Sequence, residues 1–320
     1  GRAAEGEGLT VQYCMPQPRH ALQSVELPAV TQIRASNDYV PGATNMPALS
    51  SAEQWKIGGS SMFAWALALA PFKDNFWSVN KEAGSPYHLG EEPHPALQAA
   101  VSTLSAGPVT PSDAIAKTDV ALVLRSCRSD GRLLSPDRPA TWTDDVVAQR
   151  AFTTNGPTGE FWTTESTVSS MTMTHVFSHL DERYTYTVPT AHVAFSLPTD
   201  TLERDRLRVE TTDFVMEPAS QFPSTFELWH ITPTLPNGWA ILGELDKWVP
   251  LASARVQEVI VSSSQVSLVL SGAPNETVTL TFWDGNLTRD AICPFGSATT
   301  IRLDVPFDGA SATCTPHATW

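Results

Sequence analysis

One segment near the N-terminus combines charged and hydroxyl side chains in a spacing that suits catalysis. A predicted strand over 29–35 contains Arg34, and Ser36 and Asp38 follow at intervals of two residues. In an extended chain alternate side chains share a face, so these three groups should lie on one side. An aspartate beside an arginine can act as general acid or base when burial and a second carboxylate oppose the arginine. The simpler interpretation is an ion pair that fixes a loop, and spacing alone favours it.

The elements expected to position this segment are alternating strands and helices. Short apolar runs alternate with stretches of helical composition through the first 145 residues, which is typical of buried parallel strands joined by helices. The predicted strands are 9–15, 29–35 and 108–111, and the predicted helices are 50–70, 95–104 and 118–126. Active sites of (β/α)8 barrels assemble at the carboxyl ends of their strands, where Arg34 and Asp38 would lie.

The second part of the chain has a different composition. After about residue 151 it is rich in Thr, Ser and Val and is broken by Pro, Gly and Asn, which predicts antiparallel strands. These predicted strands are 160–168, 184–188, 226–232, 256–270, 277–283 and 299–305. We therefore predict two domains, 1–150 and 151–320, the second a β-sandwich.

Composition excludes several classes of function. The formal net charge of -14 argues against a nucleic-acid partner, which would require clustered Lys and Arg. The longest apolar run, 62–71, is too short to span a bilayer, so no membrane span is expected. The segment with His88, Glu91, Glu92 and His94 could suggest a metal site, but a solvated loop is the better interpretation, and we predict no metal.

Modification sites are also predicted in the second domain. Cys293 and Cys314 border a short β-like stretch and could form a disulfide or remain thiols. Asn275 and Asn286 each begin an Asn-x-Thr sequon for glycosylation. Together these features favour a secreted or extracellular protein, with a cytoplasmic or plastid location as the alternative.

Seven segments in the same order along the chain resemble glycoside hydrolase family 36, in particular raffinose synthases and seed imbibition proteins of the alkaline α-galactosidase type. The Arg34-Ala-Ser-Asn-Asp38-Tyr segment is similar to the family's R-A-S-D-D-F. The other similar segments are Gln12–Met15, Asp74–Ser78, His94-Pro95, Gly107–Asp113, Leu122–Leu134 and Thr232–Lys247. Because they are collinear, they indicate the family more specifically than any single motif does.

The resemblance implies a fold and a mechanism. The fold would be the C-terminal half of a (β/α)8 TIM barrel followed by an antiparallel β-sandwich, and the barrel strands five to eight would be 9–15, 29–35, 69–72 and 108–111. The chemistry would be retaining glycoside hydrolysis or transfer with an α-galactoside as the substrate. Asp38 would be the acid/base, and Arg34 would hold the sugar or its catalytic acid. The family's nucleophile lies on the fourth strand, which this sequence does not contain, so the missing half-barrel or another chain should cover the open edge. No cofactor is implied.

Further substrate-binding candidates have simpler interpretations beside the functional ones. Trp77 could stack on a sugar but is more often a core residue, and Asp113 could bind substrate or cap a helix. Cys14 could line the pocket or be a buried thiol, and Asp74 could line the mouth of the pocket.

Two departures from the family and two rival functions remain. Asn37 replaces the first Asp of the family's D-D pair. Pro16-Gln-Pro18 replaces a polar run, and this second change puts the substrate preference in doubt.

The main rival function is that of a non-catalytic glycan-binding or structural extracellular glycoprotein. The weaker rival is an independent carbohydrate-binding module in the second domain.

Overall fold

The computed structural model of the chain describes residues 2–41, 54–82, 90–219 and 226–317. The regular structure within these ranges is mainly β, with eighteen strands and six α-helices. The chain divides into two compact units: unit 1 comprises residues 1–123 and 138–164, and unit 2 comprises residues 124–137 and 165–320. Residue 150, the boundary expected from composition, lies within a helix of unit 1.

Unit 1 contains a small parallel sheet with helical crossovers. Its strands pair in the order β1, β2, β3, and all pairings are parallel. The elements of this part are α1 (Arg2–Gly6), β1 (Val11–Tyr13), α2 (Pro18–Gln23), β2 (Val30–Arg34), α3 (Gly58–Ala66) and β3 (Ala70–Phe72). Parallel neighbours need a crossover connection, and α2 and α3 provide it. All three strands therefore end at the same edge of the sheet.

Local sequence explains how these elements form and pack. Pro18 occupies the first turn of α2, where a missing N–H costs nothing. Val30 and Ile33 of β2 are buried, and they form one apolar cluster with Ala64 of α3 and Leu69. Burial of such side chains stabilises the fold by about 1.5–3 kcal/mol each. This cluster therefore holds α3 to the sheet.

The rest of unit 1 is helical with one antiparallel pairing. Its elements are α4 (Pro95–Leu104), α5 (Val120–Leu124), β4 (Thr141–Trp142), α6 (Asp144–Phe152) and β5 (Gly159–Val168), which continues into unit 2. Thr143 caps α6 by accepting a hydrogen bond from the Val146 amide. At Gly58 a Cβ would collide with the Trp142 and Trp162 rings, so α3 approaches these indoles only because the residue is glycine.

Unit 2 consists of antiparallel strands. These are β6 (Met171–Leu180), β7 (Tyr184–Tyr186), β8 (His192–Ser196), β9 (Arg208–Glu210), β10 (Phe214–Met216), β11 (Glu227–Pro233), β12 (Ala240–Gly243), β13 (Val256–Val261), β14 (Gln265–Ser271), β15 (Thr277–Trp283), β16 (Thr288–Pro294), β17 (Thr300–Pro306) and β18 (Thr313–Pro316). The sheets have the orders β6-β11-β8-β9, β7-β10, β12-β15-β16 and β13-β14-β17-β18. Alternating burial along β17 puts every second side chain into one apolar core.

The predicted fold class, half a (β/α)8 barrel followed by a β-sandwich, is wrong. The described chain is dominated by strands in several antiparallel sheets, and its helices are few and short. The predicted fourth strand, 108–111, forms only an isolated bridge between Pro111 and Phe76. Proline has no backbone N–H to donate, so Pro108 and Pro111 prevent this segment from extending the sheet.

Two predicted elements differ in extent for local reasons. The predicted helix 50–70 is observed only as α3, and residues 50–53 lie outside the described ranges. The predicted strand 256–270 is two strands, β13 and β14, joined by a turn in which Ser262 bonds to Gln265. Among the described residues, no helix has the length and apolar character to cross a membrane.

Candidate functional site

A cavity of about 630 Å³ lies at the carboxyl ends of β1 and β2 in unit 1. The residues after β1, the residues after β2, and side chains of α2 and α3 border it. Crevices at the carboxyl ends of parallel strands are the usual ligand sites of such sheets, because the connecting loops converge there. We call it the Asp38 cavity; four of the predicted site residues border it, namely Cys14, Arg34, Ser36 and Asp38.

Arg34 borders this cavity and joins two carboxylates, those of Asp38, which also borders the cavity, and of Asp74, which does not. Its Nη2 lies 2.5 Å from Oδ1 of Asp38, and its Nη1 lies 3.1 Å from Oδ2 of Asp74. The Arg34 side chain is 7% exposed, whereas that of Asp38 is 50% exposed. These three residues, the Arg34 cluster, combine one positive with two negative charges and so carry a net negative charge. Asp38 therefore presents a fixed carboxylate to the cavity.

Asp74 has a different role from Asp38, because protein donors occupy its carboxylate. Besides Arg34, the amide of Tyr39 donates to its Oδ2 at 2.9 Å, and the amide of Asn75 donates to its Oδ1 at 2.9 Å. The Asp74 amide in turn donates to Oγ of Ser36 at 2.9 Å. A carboxylate with this many protein donors serves to hold the loops together. Asp74 and Ser36 thus fix the loop that carries Asp38.

A buried layer of polar groups supports that loop. Tyr39, adjacent to Asp38, donates its hydroxyl to Oε2 of Glu92 at 2.9 Å. Glu92 also accepts from the His94 amide and from Nε2 of Gln98. Burial, and next the charge of Glu92, raise the pKa of Tyr39 far above its ordinary value, so the phenol remains a donor.

Lys73 lies in the same layer and is fully buried. Its ammonium donates to the carbonyl oxygens of Asp74 and Asn75 and lies 4.8 Å from the centroid of the Tyr39 ring. Burial lowers the pKa of Lys73 to about 7, although Glu92 and Asp74 act in the opposite direction. Lys73 therefore fastens the turn after β3, which carries Asp74.

Two other predicted residues of unit 1 do not border the Asp38 cavity. Trp77 is 3% exposed, which corresponds to the simpler interpretation of a core residue. Asp113 accepts hydrogen bonds from the amide of Ser78 at 2.7 Å and from its hydroxyl at 2.6 Å. Trp77 and Asp113 therefore stabilise the segment after β3, Trp77 by its burial and Asp113 by its hydrogen bonds to Ser78.

The modification sites predicted in unit 2 lie on its strands and turns. Cys293 of β16 and Cys314 of β18 form a disulfide with a Cα–Cα distance of 5.6 Å. Asn275 and Asn286 are exposed in turns that flank β15, so an oligosaccharide on either side chain would meet solvent.

Sequence reasoning did not identify all residues of the site. Ser60 and Phe63 of α3 border the cavity, and Phe63 is 41% exposed. In the sequence, the one feature that connects Ser60 and Phe63 is their three-residue spacing, which puts them on one helix face. Lys73 and Glu92 are buried charges, and nothing local distinguishes them from surface charges.

The described part of the chain contains no group of three or more His, Cys, Asp or Glu side chains that could hold a metal ion. Of the cluster considered from the sequence, His88 lies outside the described residues, Glu91 pairs with Lys81, and Glu92 belongs to the buried layer.

The side chains of the cavity define what it can bind. Asp38 offers carboxylate acceptors, Asn37 and Gln17 offer amides, and Phe63 offers an aromatic face, whereas the Ser36 hydroxyl is engaged by the Asp74 amide and the Asn37 carbonyl. Because the Arg34 cluster is net negative, it disfavours phosphates and other anions. A neutral ligand with many hydroxyls, or one that develops positive charge, fits these groups better.

Comparisons with known proteins add no assignment. No protein-family model matches the sequence, and no curated protein matches it. The resemblance to glycoside hydrolase family 36 therefore stays a prediction that rests on the seven segments described above.

Proposed function

We propose that the Asp38 cavity binds a glycosyl unit and that Asp38 is the acid/base of retaining glycoside hydrolysis or transfer. The observation that carries the proposal is the half-exposed Asp38 carboxylate held by buried Arg34 at the edge where the parallel strands end. Glycoside cleavage passes through a transition state with oxocarbenium character, and a net negative site stabilises such charge. The resemblance to family 36 suggests an α-galactoside as the substrate.

The nucleophile of this reaction must come from outside the described residues. Retaining glycosidases hold their two carboxylates roughly 5–5.5 Å apart. Among the described residues that border the cavity, Asp38 alone carries a carboxylate, and Asp74 is engaged by protein donors. A further polypeptide segment or a second chain that closes the cavity would supply the second carboxylate. We propose that partner together with the carbohydrate.

A second candidate, glycan binding without catalysis, is favoured by this same single carboxylate. Asp38, Asn37 and Phe63 suffice to hold a sugar by hydrogen bonds and by stacking, and neither contact requires a nucleophile. Under both candidates we propose a secreted protein, which the disulfide and the two exposed sequons support.

Activity and binding assays on the same material separate the two candidates. Hydrolysis of p-nitrophenyl α-galactoside is measured for the natural protein, for Asp38→Asn and for Asp130→Asn. Asp130 is the matched control, because it pairs with Arg128 at 2.5 Å and is 40% exposed, much as Asp38 pairs with Arg34. Catalysis predicts a loss of activity of about 10²-fold or more in Asp38→Asn, because hydrolysis of the glycosyl-enzyme intermediate needs Asp38 as general base whatever the leaving group, and little change in Asp130→Asn.

The leaving group tests the acid role. An aryl leaving group needs little protonation, whereas an alkyl leaving group needs a general acid. Asp38→Asn should therefore impair methyl α-galactoside hydrolysis more than aryl galactoside hydrolysis. Saturable galactoside binding that requires Asp38 but occurs without hydrolysis would favour the second candidate. Absence of both binding and hydrolysis, in a protein that is folded, would overturn the proposal.

A further inference from the structure

Unit 2 contains a second cavity, of about 20 Å³, lined by cationic and apolar side chains. Arg125, Lys247, His230 and Trp248 border it, together with apolar groups such as Phe195. A cavity of this volume accommodates one water molecule or one ion of similar size. Sulfate, phosphate and carboxylates are too large for it. We call it the Arg125 cavity.

Two hydrogen-bond donors of the residues around the Arg125 cavity have no acceptor among the described residues. Arg125 is 9% exposed; its Nη1 donates to the Thr199 carbonyl at 2.8 Å, but its Nε has no partner. Trp248 is fully buried, and its Nε1 also has no partner. The Cζ of Arg125 lies 3.4 Å from the Trp248 ring centroid, so the two donors belong to one stacked pair. Buried donors are rarely left unpaired, so this pair indicates a bound acceptor.

The charged side chains that border the cavity, Arg125 and Lys247, are both cationic. None of the described carboxylates forms an ion pair with Arg125, and no Asp or Glu borders the cavity. Lys247 donates to the Leu124 carbonyl at 2.8 Å and lies 3.3 Å from Oδ2 of Asp246. Burial of a guanidinium is costly, and burial lowers the pKa of Arg125 to about 9 even though the charges of Asp246 and Asp200 act in the opposite direction, so these two carboxylates offset the cost only in part.

His230 contributes a polar but uncharged side chain to the lining of the Arg125 cavity. Burial, the neighbouring His175 and Arg125 together hold the pKa of His230 well below its ordinary value. Its Nδ1 lies 2.8 Å from Nδ1 of His175, whose Nε2 lies 2.9 Å from Oγ of Ser166. The positive charge of the cavity therefore comes from Arg125 and Lys247.

We infer that the Arg125 cavity binds a small monovalent anion of the size of chloride, which accepts hydrogen bonds from Arg125 Nε and Trp248 Nε1. Such an anion satisfies both donors and neutralises the buried guanidinium. Water would satisfy the donors but would add no negative charge beside the buried guanidinium, which Asp246 and Asp200 offset only in part. The anion is thus a structural ligand of unit 2, and it is independent of the proposed sugar site in unit 1.

Thermal unfolding in different sodium salts tests this site. The unfolding midpoint is measured at constant ionic strength while gluconate, which is too large for the cavity, is replaced by chloride or bromide. A ligand that binds only the folded state should raise the midpoint by about 2–4 °C at several-fold excess over its dissociation constant, and further with the logarithm of its concentration. Arg125→Gln should abolish the difference between the salts. Arg128→Gln is the matched control, because Arg128 is similarly buried but pairs with Asp130.

Crystals of the protein grown or soaked in sodium bromide provide a second measurement, which needs no variant and so remains possible if Arg125→Gln does not fold. Anomalous scattering should place a bromide in contact with Arg125 Nε. Equal midpoints in chloride and gluconate, together with no bromide at this position, would show that water satisfies the donors and would overturn the inference. A chloride effect that persists in Arg125→Gln would likewise overturn it.

Discussion

Each unit holds an arginine between two carboxylates, and the two clusters differ in their access to solvent. In the Arg34 cluster, the Asp38 side chain is 50% exposed. In the Arg255 cluster of unit 2, formed with Glu244 and Glu276, the three side chains are 0%, 4% and 8% exposed. The same types of charge therefore form an accessible site in one unit and a sealed one in the other.

Hydrogen bonding explains why only the first cluster is suited to a ligand. Arg255 donates from Nε to Glu244 at 2.8 Å, from Nη2 to Glu276 at 2.6 Å, and from Nη1 to Glu276 and to the Ser271 carbonyl. Its carboxylates receive further amides, as Glu276 does from Ala273. Among the described residues, Arg34 is the one hydrogen-bond donor to Asp38, which also borders the cavity. Burial and the number of protein donors to each carboxylate thus distinguish the two clusters. The Arg255 cluster is sealed and stabilising, whereas the Arg34 cluster leaves the Asp38 carboxylate accessible.

The largest expected effect comes from breaking the sealed cluster. Arg255→Met leaves Glu244 and Glu276 buried without their cation, and we expect a loss of about 3–5 kcal/mol in the free energy of unfolding. Arg34→Met should cost less, because Asp38 can be hydrated. Urea denaturation, followed by hydrogen exchange of peptides from each unit, measures both losses. Equal losses for the two variants would contradict the distinction between open and sealed clusters.

Acid should weaken unit 2 through its buried histidines. Burial lowers the pKa of His175 to about 3, whereas the unfolded side chain titrates near 6.5. Between these values the unfolded state binds the proton and the folded state does not, so stability falls as pH falls. We expect a loss of about 1.4 kcal/mol per pH unit from His175 between pH 6 and pH 4.

Hydrogen exchange of unit 2 peptides across this pH range tests that expectation. The variant His192→Gln is a suitable control, because His192 is more accessible than His175 and should leave the slope unchanged. A stability of unit 2 that does not change between pH 6 and pH 4 would be inconsistent with neutral, buried histidines.

Unit 1 should respond to pH in the alkaline range, through Lys73. Its pKa is lowered to about 7 by burial, whereas an unfolded lysine titrates near 10.4. The unfolded state thus binds more protons between these values, so the stability of unit 1 rises with pH from 7 to about 10, by up to about 1.4 kcal/mol per pH unit. Lys73→Met should remove this rise, and Lys81→Met, at an exposed lysine, should not. Hydrogen exchange of unit 1 peptides at pH 7 and pH 9 measures the difference.

The smallest effect on stability is expected at Asp38. Asp38→Asn removes one charge of a half-exposed ion pair, and such pairs contribute about 0–1 kcal/mol. We expect a change in the free energy of unfolding within about 0.5 kcal/mol, measured by urea denaturation. Together with a loss of sugar binding, this result would identify Asp38 as a residue kept for ligand contact. A large destabilisation would instead show that Asp38 is a structural loop anchor.

The sequence by itself determined the local elements whose signals are contiguous. Helix 95–104 and strand 277–283 are observed with the predicted bounds, because a proline at the first turn and a regular alternation specify them locally. The closeness of Arg34 and Asp38 was also predictable, since only four residues separate them. The composition of the chain indicated the change to antiparallel strands after residue 151.

Only the tertiary structure decided which distant groups meet and which are buried. Arg34 reaches Asp74 across 40 residues, and Tyr39 reaches Glu92 across 53. The burial of Trp77 and the pairing of His175 with His230 likewise depend on packing. The barrel prediction failed for the same reason, because strand periodicity does not specify how many strands pair or in which direction. Local patterns set the shape of a segment, whereas its partners are chosen by the burial and hydrogen bonding of the whole chain.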